Sequence, residues 1–164
     1  MKNRSVLLQL LGGTRSSHAL RRWINLWPPF LGAGIRIQHI APDMKAVDVE
    51  MSLRWWNANY VGTQFGGSLF AMTDPFYMLM LMANLGGEYI VWDKAATIRY
   101  RKPGRGTVRA EFRLSDGQIE DIHEKLKTLP KYEPVFTVEV KDEAGVVIAE
   151  VEKLLHVRRK ELKG

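Results

Sequence analysis

The sequence predicts an α+β fold in which an antiparallel sheet of about five to six strands wraps around one apolar helix. Several segments alternate apolar and polar residues with a period of two, which is typical of strands with one buried face. Among them lies an apolar stretch, residues 66–85, whose only charged residue is Asp74. A helix that is apolar all round has to be buried, and packing it against the sheet is the economical solution.

The first predicted element is an N-terminal helix. Ser16-Ser17 can cap it, and Pro28-Pro29 ends it. One face would carry Leu20, Trp23, Ile24 and Trp27, and we expect this face to dock onto the sheet. The alternative is that the two tryptophans of this basic helix touch a membrane.

The rest of the chain is predicted as strands and two further helices. Strands are expected over residues 35–39, 47–55, 89–102, 107–114, about 134–141 and 146–157. Gly86-Gly87 ends the central helix, and Ser115-Asp116 caps a short polar helix. The prediction is therefore a single domain over residues 1–164, with an N-terminal extension over 1–34 and a core over 35–157.

Composition excludes several classes of function. The 164 residues include no cysteine, and the four histidines lack ligand spacing, so no metal or cofactor is expected. The net charge of +6 suits a polyanionic partner. Without a helix-turn-helix or an aromatic RNA-binding motif, nucleic acid is not the expected partner.

Two apolar segments are candidates for a targeting or membrane segment. Residues 1–13 begin with Lys2 and Arg4 and continue with a short apolar run, but no convincing cleavage site follows. Residues 70–85 are too short to span a bilayer. We expect no membrane span and a cytoplasmic protein.

The stretch from Asn59 to Asp74 carries the candidate chemistry. Gly66 and Gly67 follow a polar loop and begin the apolar helix, so their amides can bind an oxygen that becomes negative during a reaction. Asp74 is a carboxylate among apolar residues, which is costly unless it is paired or used.

The spacing of these groups predicts a dimer. Seven helical residues separate Gly67 from Asp74, or roughly 10 Å along a helix axis. A base or nucleophile has to approach within about 3 Å of the carbon whose oxygen the amides hold. One helix cannot supply both groups to one substrate atom. We therefore expect the amides of one copy to face the aspartate of another, in a homodimer or a tetramer.

The same stretch resembles the hotdog-fold thioesterases of the phenylacetic-acid-degradation type. Their pattern is Asn-x-x-Gly-Thr-x-His-Gly-Gly with an aspartate nine residues after the histidine. The chain matches it at Asn59, Gly62, Thr63, Gly66, Gly67 and Asp74. Residues 96–106 are similar to that family's next strand and its Arg-Pro turn. The likeness is strongest to a little-characterised branch related to tetrameric acyl-CoA thioesterases.

This resemblance implies an acyl-CoA thioesterase, with an acyl-CoA or acyl carrier protein thioester as substrate. Asp74 would be the base or nucleophile, and Gly66 and Gly67 would form the oxyanion hole. Asn59 and Gln64 would contact the carbonyl or water. Thr63 and Phe65 would line the substrate site, and a basic group would attract the phosphates of coenzyme A: Arg99, Arg101, Lys102 and Arg105.

Several structural alternatives stay open from the sequence. Asp74 precedes Pro75 and can simply cap a restarted helix. The two glycines can serve close packing, Asn59 can hold its loop, and the basic group can be a solvated edge. Phe65 stands where the family has histidine, which favours a non-catalytic acyl-binding protein as the first alternative. A hotdog dehydratase is the second alternative.

Overall fold

The computed structural model describes residues 14–160 and forms one six-stranded antiparallel sheet with helices on it. The α+β hotdog prediction is confirmed. The helices are α1 (Thr14–Asn25), α2 (Pro28–Ala33), α3 (Gly66–Ala71), α4 (Phe76–Leu85) and α5 (Asp116–Thr128). The strands are β1 (Ile35–Ile40), β2 (Ala46–Ser52), β3 (Tyr89–Tyr100), β4 (Thr107–Arg113), β5 (Val135–Asp142) and β6 (Val147–Arg159).

The sheet has the strand order β1-β2-β4-β5-β6-β3, so β1 and β3 form its edges. The longest ladder joins β3 to β6, from Tyr89 opposite Arg159 to Tyr100 opposite Ala149, with an irregularity between Asp93 and Ala95. The prediction carried the second strand to residue 55, but β2 ends at Ser52.

The central apolar stretch is two helices. Residues 72–75 separate α3 from α4, since Pro75 has no backbone N–H to continue the helix and takes a φ of −29°. Phe76 in α4 packs its ring 4.9 Å from the ring of Phe112 on β4, between centroids. Both side chains are fully buried, so the helix restarts against the sheet and remains part of the core.

Helix α1 covers the β1 edge. The side-chain amide of Asn25 donates to the Ile37 carbonyl at 3.1 Å, and its oxygen accepts from the Ile37 amide at 2.7 Å. Leu20 and Ile24 are buried beneath the helix, but Trp23 and Trp27 are exposed. The prediction that all four share the docked face is wrong for the two tryptophans.

The two predicted helix boundaries further along the chain are confirmed. Gly86 follows α4 with a φ of +88°, which glycine adopts without strain. Ser115 caps α5 by accepting from the Gln118 amide, and the Gln118 side chain returns a hydrogen bond to Ser115. Among the residues described, no helix is long and apolar enough to cross a membrane.

Candidate active site

Asp74 lies at the break between α3 and α4, and its carboxylate pairs with a buried lysine of the sheet. The ammonium of Lys153 on β6 is 2.8 Å from Asp74 Oδ1 and 3.1 Å from Asp93 Oδ1 on β3. The Lys153 side chain is only 2% exposed, whereas that of Asp74 is 52% exposed. Asp74 does not cap α4 with its side chain. Lys153 therefore holds one oxygen of the carboxylate, while the side chain remains half exposed to solvent.

The cluster of Asp74, Lys153 and Asp93 carries two negative charges and one positive charge. Burial raises the pKa of Asp93 above its ordinary value, while the Lys153 ammonium opposes this effect and Asp74 adds to it. The strand neighbours of Lys153 are Ala96 on β3 and Phe136 on β5, which do not ionise.

An aromatic ring packs against each of Gly66 and Gly67, close to where a side chain would begin. The Tyr100 hydroxyl donates to the Gly66 carbonyl at 3.0 Å and lies 2.9 Å from where a Cβ on Gly66 would stand. The Phe65 ring would come within 2.5 Å of a Cβ on Gly67. The Ser68 and Leu69 amides donate to the Phe65 carbonyl, while those of Gly66 and Gly67 make no hydrogen bond within residues 14–160.

A concavity of about 340 Å³ adjoins the start of α3. It lies between the loop before α3 and the end of β3, and its lining is Asn59, Val61, Thr63, Gln64, Gly66, Leu69, Tyr100, Arg101, Lys102, Pro103 and Gly104. A larger concavity of about 590 Å³ lies on the outer face of the sheet. Its arginines and lysine pair with carboxylates of the same strand or of β2, so we place the candidate site at the smaller one.

The predicted polar residues of the loop hold the loop itself. The Asn59 oxygen accepts from the Val61 and Thr63 amides, and its Nδ2 donates to Thr63 Oγ1 at 2.9 Å. Gln64 is buried, and its Nε2 donates to the carbonyls of Met51 and Gly106 at 3.1 and 2.9 Å. The Gln64 amide group that was expected to reach a substrate carbonyl is thus occupied by the backbone.

The predicted basic group splits in two. Arg99 and Arg101 approach Glu150 on β6 at 3.7 and 3.5 Å, so one carboxylate offsets part of their charge. Lys102 and Arg105 are exposed in the turn after β3. Arg101 and Lys102 line the concavity beside Gly66, and Arg99 and Arg105 do not.

Three residues of the site were missed by the sequence analysis: Lys153, Asp93 and Tyr100. The strand pattern contained a signal for the lysine, since Val151, Lys153 and Leu155 alternate on the inward face of β6. A lysine in such a position needs a buried anion. Among the described residues, no cluster of three or more His, Asp or Glu could hold a metal ion.

Comparisons with known proteins identify the family of the chain and agree with the hotdog fold. The chain belongs to the family described as "Domain of unknown function (DUF4442)", whose model matches residues 16–157. A comparison with curated protein sequences found no match.

Solved structures resemble the chain at low sequence identity. A Pseudomonas aeruginosa protein described as of unknown function and a probable thioesterase has a TM-score of 0.75 at 23% identity, covering 87% of this chain and 95% of its own. A thioesterase from Haemophilus influenzae has a TM-score of 0.64 at 14% identity, with coverages of 90% and 94%. At these identities the likeness shows the fold.

Proposed function

We propose that the protein is an acyl-CoA thioesterase in which Asp74 activates water or attacks the thioester directly. The observation that supports this most is the Asp74 carboxylate itself, which Lys153 fixes through one oxygen at 2.8 Å while the side chain stays half exposed. That exposure leaves the carboxylate accessible to water and to a thioester. The thioesterase descriptions of structural neighbours are consistent with this assignment.

The chemistry follows one of two routes. As a base, Asp74 takes a proton from water, the hydroxide adds to the acyl carbonyl, and the C–S bond breaks to release coenzyme A. As a nucleophile, the carboxylate forms an acyl anhydride as the thiolate leaves, and water then hydrolyses the anhydride. In both routes the carbonyl oxygen becomes negative, and the unpaired Gly66 and Gly67 amides are placed to stabilise it.

The proposed site is completed by a second copy of the chain. Gly67 lies in the first turn of α3 and Asp74 follows the other end of that helix, so one copy is not expected to bring both groups to one carbonyl. Within residues 14–160, strand β3 pairs only with β6, so its outer edge offers a row of backbone groups to a partner strand. Pairing of two β3 edges would bring the two central helical stretches to one interface. We therefore propose a homodimer as the active unit.

A second function is favoured by one observation. Phe65 replaces the histidine of the resembled family, and its half-exposed ring lies over Gly67. The ring cannot donate a hydrogen bond to a carbonyl, and it adds apolar surface beside the concavity. A protein that binds acyl-CoA without hydrolysing it would fit this residue.

Thiol release from short, long and aromatic acyl-CoAs tests the proposal, with Asp74→Asn measured beside the wild type. We expect kcat to fall by about 100-fold or more in this variant, since general bases contribute on that scale. Asp48→Asn is the matched control, because Asp48 also pairs with a cation, Arg113, at 2.6 Å but lies on the opposite face of the sheet.

Each outcome separates the alternatives. Loss of turnover in Asp74→Asn but not in Asp48→Asn supports the thioesterase. Turnover that survives in Asp74→Asn would show that this carboxylate serves the helix break. Tight acyl-CoA binding by the wild type without thiol release on any substrate would establish the binding protein instead.

A further inference from the structure

The excess positive charge of the chain is confined to its first quarter. Residues 1–42 contain six Lys and Arg and no Asp or Glu, whereas residues 43–164 contain eighteen of each. The net charge of +6 therefore belongs entirely to the region that contains α1, α2 and β1. Arg22 and Arg36 in this region are exposed. Such a concentration attracts an anionic surface rather than a dispersed set of anions.

The outward side of α1 carries the exposed His18 and Arg22, and two large apolar residues are exposed at its C-terminal end. Leu20 and Ile24 pack inward, while Trp23 and Leu26, three residues apart, are exposed with Arg22 beside them. Leu26 is 68% exposed. Adjacent large apolar residues exposed at the surface can mark a contact site.

The exposed apolar residues continue along α2. Trp27 directly precedes this helix and Leu31 lies one turn later, where its amide donates to the Trp27 carbonyl at 3.0 Å. Both side chains are exposed. Phe30 between them is buried, which fixes α2 to the core and leaves Trp27 and Leu31 outward.

The loop after β2 extends this surface. Leu31 and Trp56 line one concavity together with Arg36 and Arg54. Asn57 ties the loop to α2, since its Nδ2 donates to the Ala33 carbonyl at 2.9 Å. We call the exposed set of Trp23, Leu26, Trp27, Leu31, Trp55 and Trp56 the tryptophan surface. It contains four of the five tryptophans of the chain, and Trp55 is 88% exposed.

We propose that the tryptophan surface docks the protein on an anionic lipid bilayer. Tryptophan prefers the boundary between headgroups and acyl chains, because its ring is apolar and its N–H is polar. Arginines beside the rings would meet the lipid phosphates, and each basic residue near an anionic surface strengthens binding. The protein would lie on the membrane, since no described helix can cross one.

The chemistry of this surface favours a bilayer over other polyanions. Nucleic acid would be bound by the arginines but would leave Leu26 and Leu31 exposed. A second copy of the chain would bring its own Arg22 and Arg36 against those of the first. Glu50 lies opposite Arg36 in the same concavity, but its carboxylate already pairs with Arg109 at 3.6 Å. A lipid surface satisfies both the apolar and the basic residues.

Co-sedimentation with vesicles tests the proposal, using phosphatidylcholine alone or mixed with phosphatidylglycerol. We expect the full chain to sediment with the anionic vesicles, to bind less as salt rises, and to remain in solution with phosphatidylcholine alone. Tryptophan emission should shift to shorter wavelength on binding, because four of the five rings lie on the proposed surface.

Two double variants distinguish vesicle binding through the tryptophan surface from binding through net charge alone. Arg22→Glu with Leu26→Ser should weaken binding by more than about tenfold. Lys125→Glu with Leu129→Ser is the matched control, which makes the same changes at exposed residues around the end of α5 and should leave binding unchanged. Arg36→Glu alone tests the electrostatic part, should the double variant not fold.

The remaining outcomes overturn the proposal. Equal loss in both double variants would mean that only net charge matters. Equal binding to both vesicle types would exclude recognition of anionic lipid. Binding to single-stranded oligonucleotides in preference to vesicles would assign the surface to nucleic acid. Dissociation of an oligomer by Arg22→Glu with Leu26→Ser, without vesicle binding by the wild type, would make it an interface between copies.

Discussion

Replacing Lys153 by methionine removes the cation that lies between Asp74 and Asp93. Methionine has nearly the volume of the lysine stem, so the buried position beside Ala96 and Phe136 stays filled. The change therefore isolates the charge. Asp93, whose side chain is 22% exposed, loses its ion pair at 3.1 Å and keeps most of its desolvation.

The expected loss of unfolding free energy is about 1–3 kcal/mol at neutral pH. Breaking a fully buried ion pair by removing one partner costs about 3–5 kcal/mol. The Asp74 carboxylate is half exposed and regains water, so most of the penalty comes from Asp93 alone. An unsatisfied buried polar group costs about 1–3 kcal/mol.

The loss of unfolding free energy in this variant should depend on pH. Burial already raises the pKa of Asp93, and without the opposing Lys153 ammonium this pKa rises further. A group with a raised pKa binds its proton more tightly in the folded state, so unfolding free energy falls as pH rises from the unfolded value of about 3.9 through the folded value. The deficit of the variant should be complete at neutral pH and small near pH 4.

Urea unfolding at neutral pH and near pH 4 measures the effect. Adding Asp93→Asn to Lys153→Met should recover part of the neutral-pH loss, because no unpaired charge remains at Asp93. Lys94→Met is the surface control, since the pair of Lys94 with Glu133 is partly exposed and should contribute less than about 1 kcal/mol. A deficit of equal size at both pH values would refute the reasoning, because it would come from packing.

Three further predictions concern the loop, the glycines and α5. Gly67→Ala should reduce turnover, because the new methyl group meets the Phe65 ring. Adding Phe65→Ala should restore part of the lost turnover. Unchanged turnover in Gly67→Ala would show that the ring moves freely. Gln64→Leu should lower unfolding free energy by about 1–3 kcal/mol, measured by urea, because it removes the buried hydrogen bonds to the Met51 and Gly106 carbonyls. Ser115→Ala should cost about 1 kcal/mol in the same assay, and no loss would mean that the cap is replaced by water.

The sheet could be predicted because its signal is local. Each strand alternates apolar and polar residues, and turns separate the strands, so only their ends were displaced, as at Ser52. The orientation of α1 could not be predicted in the same way. Its predicted apolar residues form one broad face, and the sequence does not show which part of that face packs on β1.

The site was predictable where one segment contains it. Asp74 stood out as the lone charge of an apolar stretch and the two glycines as its start, whereas the lysine that pairs with Asp74 lies 79 residues away, on another strand. Gln64 was expected to contact a carbonyl because it precedes Phe65, and its side-chain amide instead donates to two backbone carbonyls of distant segments. Side-chain partners across the sheet are set by register, which no single segment contains.

The two edges of the sheet are not equivalent, and this limits how copies of the chain could add to one another. At β1, Asn25 occupies both backbone groups of Ile37, and Arg21 donates to the Gln38 carbonyl at 2.8 Å, so an incoming strand would find these positions taken. At β3 the outer backbone groups have no such cover among the described residues. Addition through β3 would therefore stop at a closed pair, and polymerisation into open fibres would require α1 to detach first.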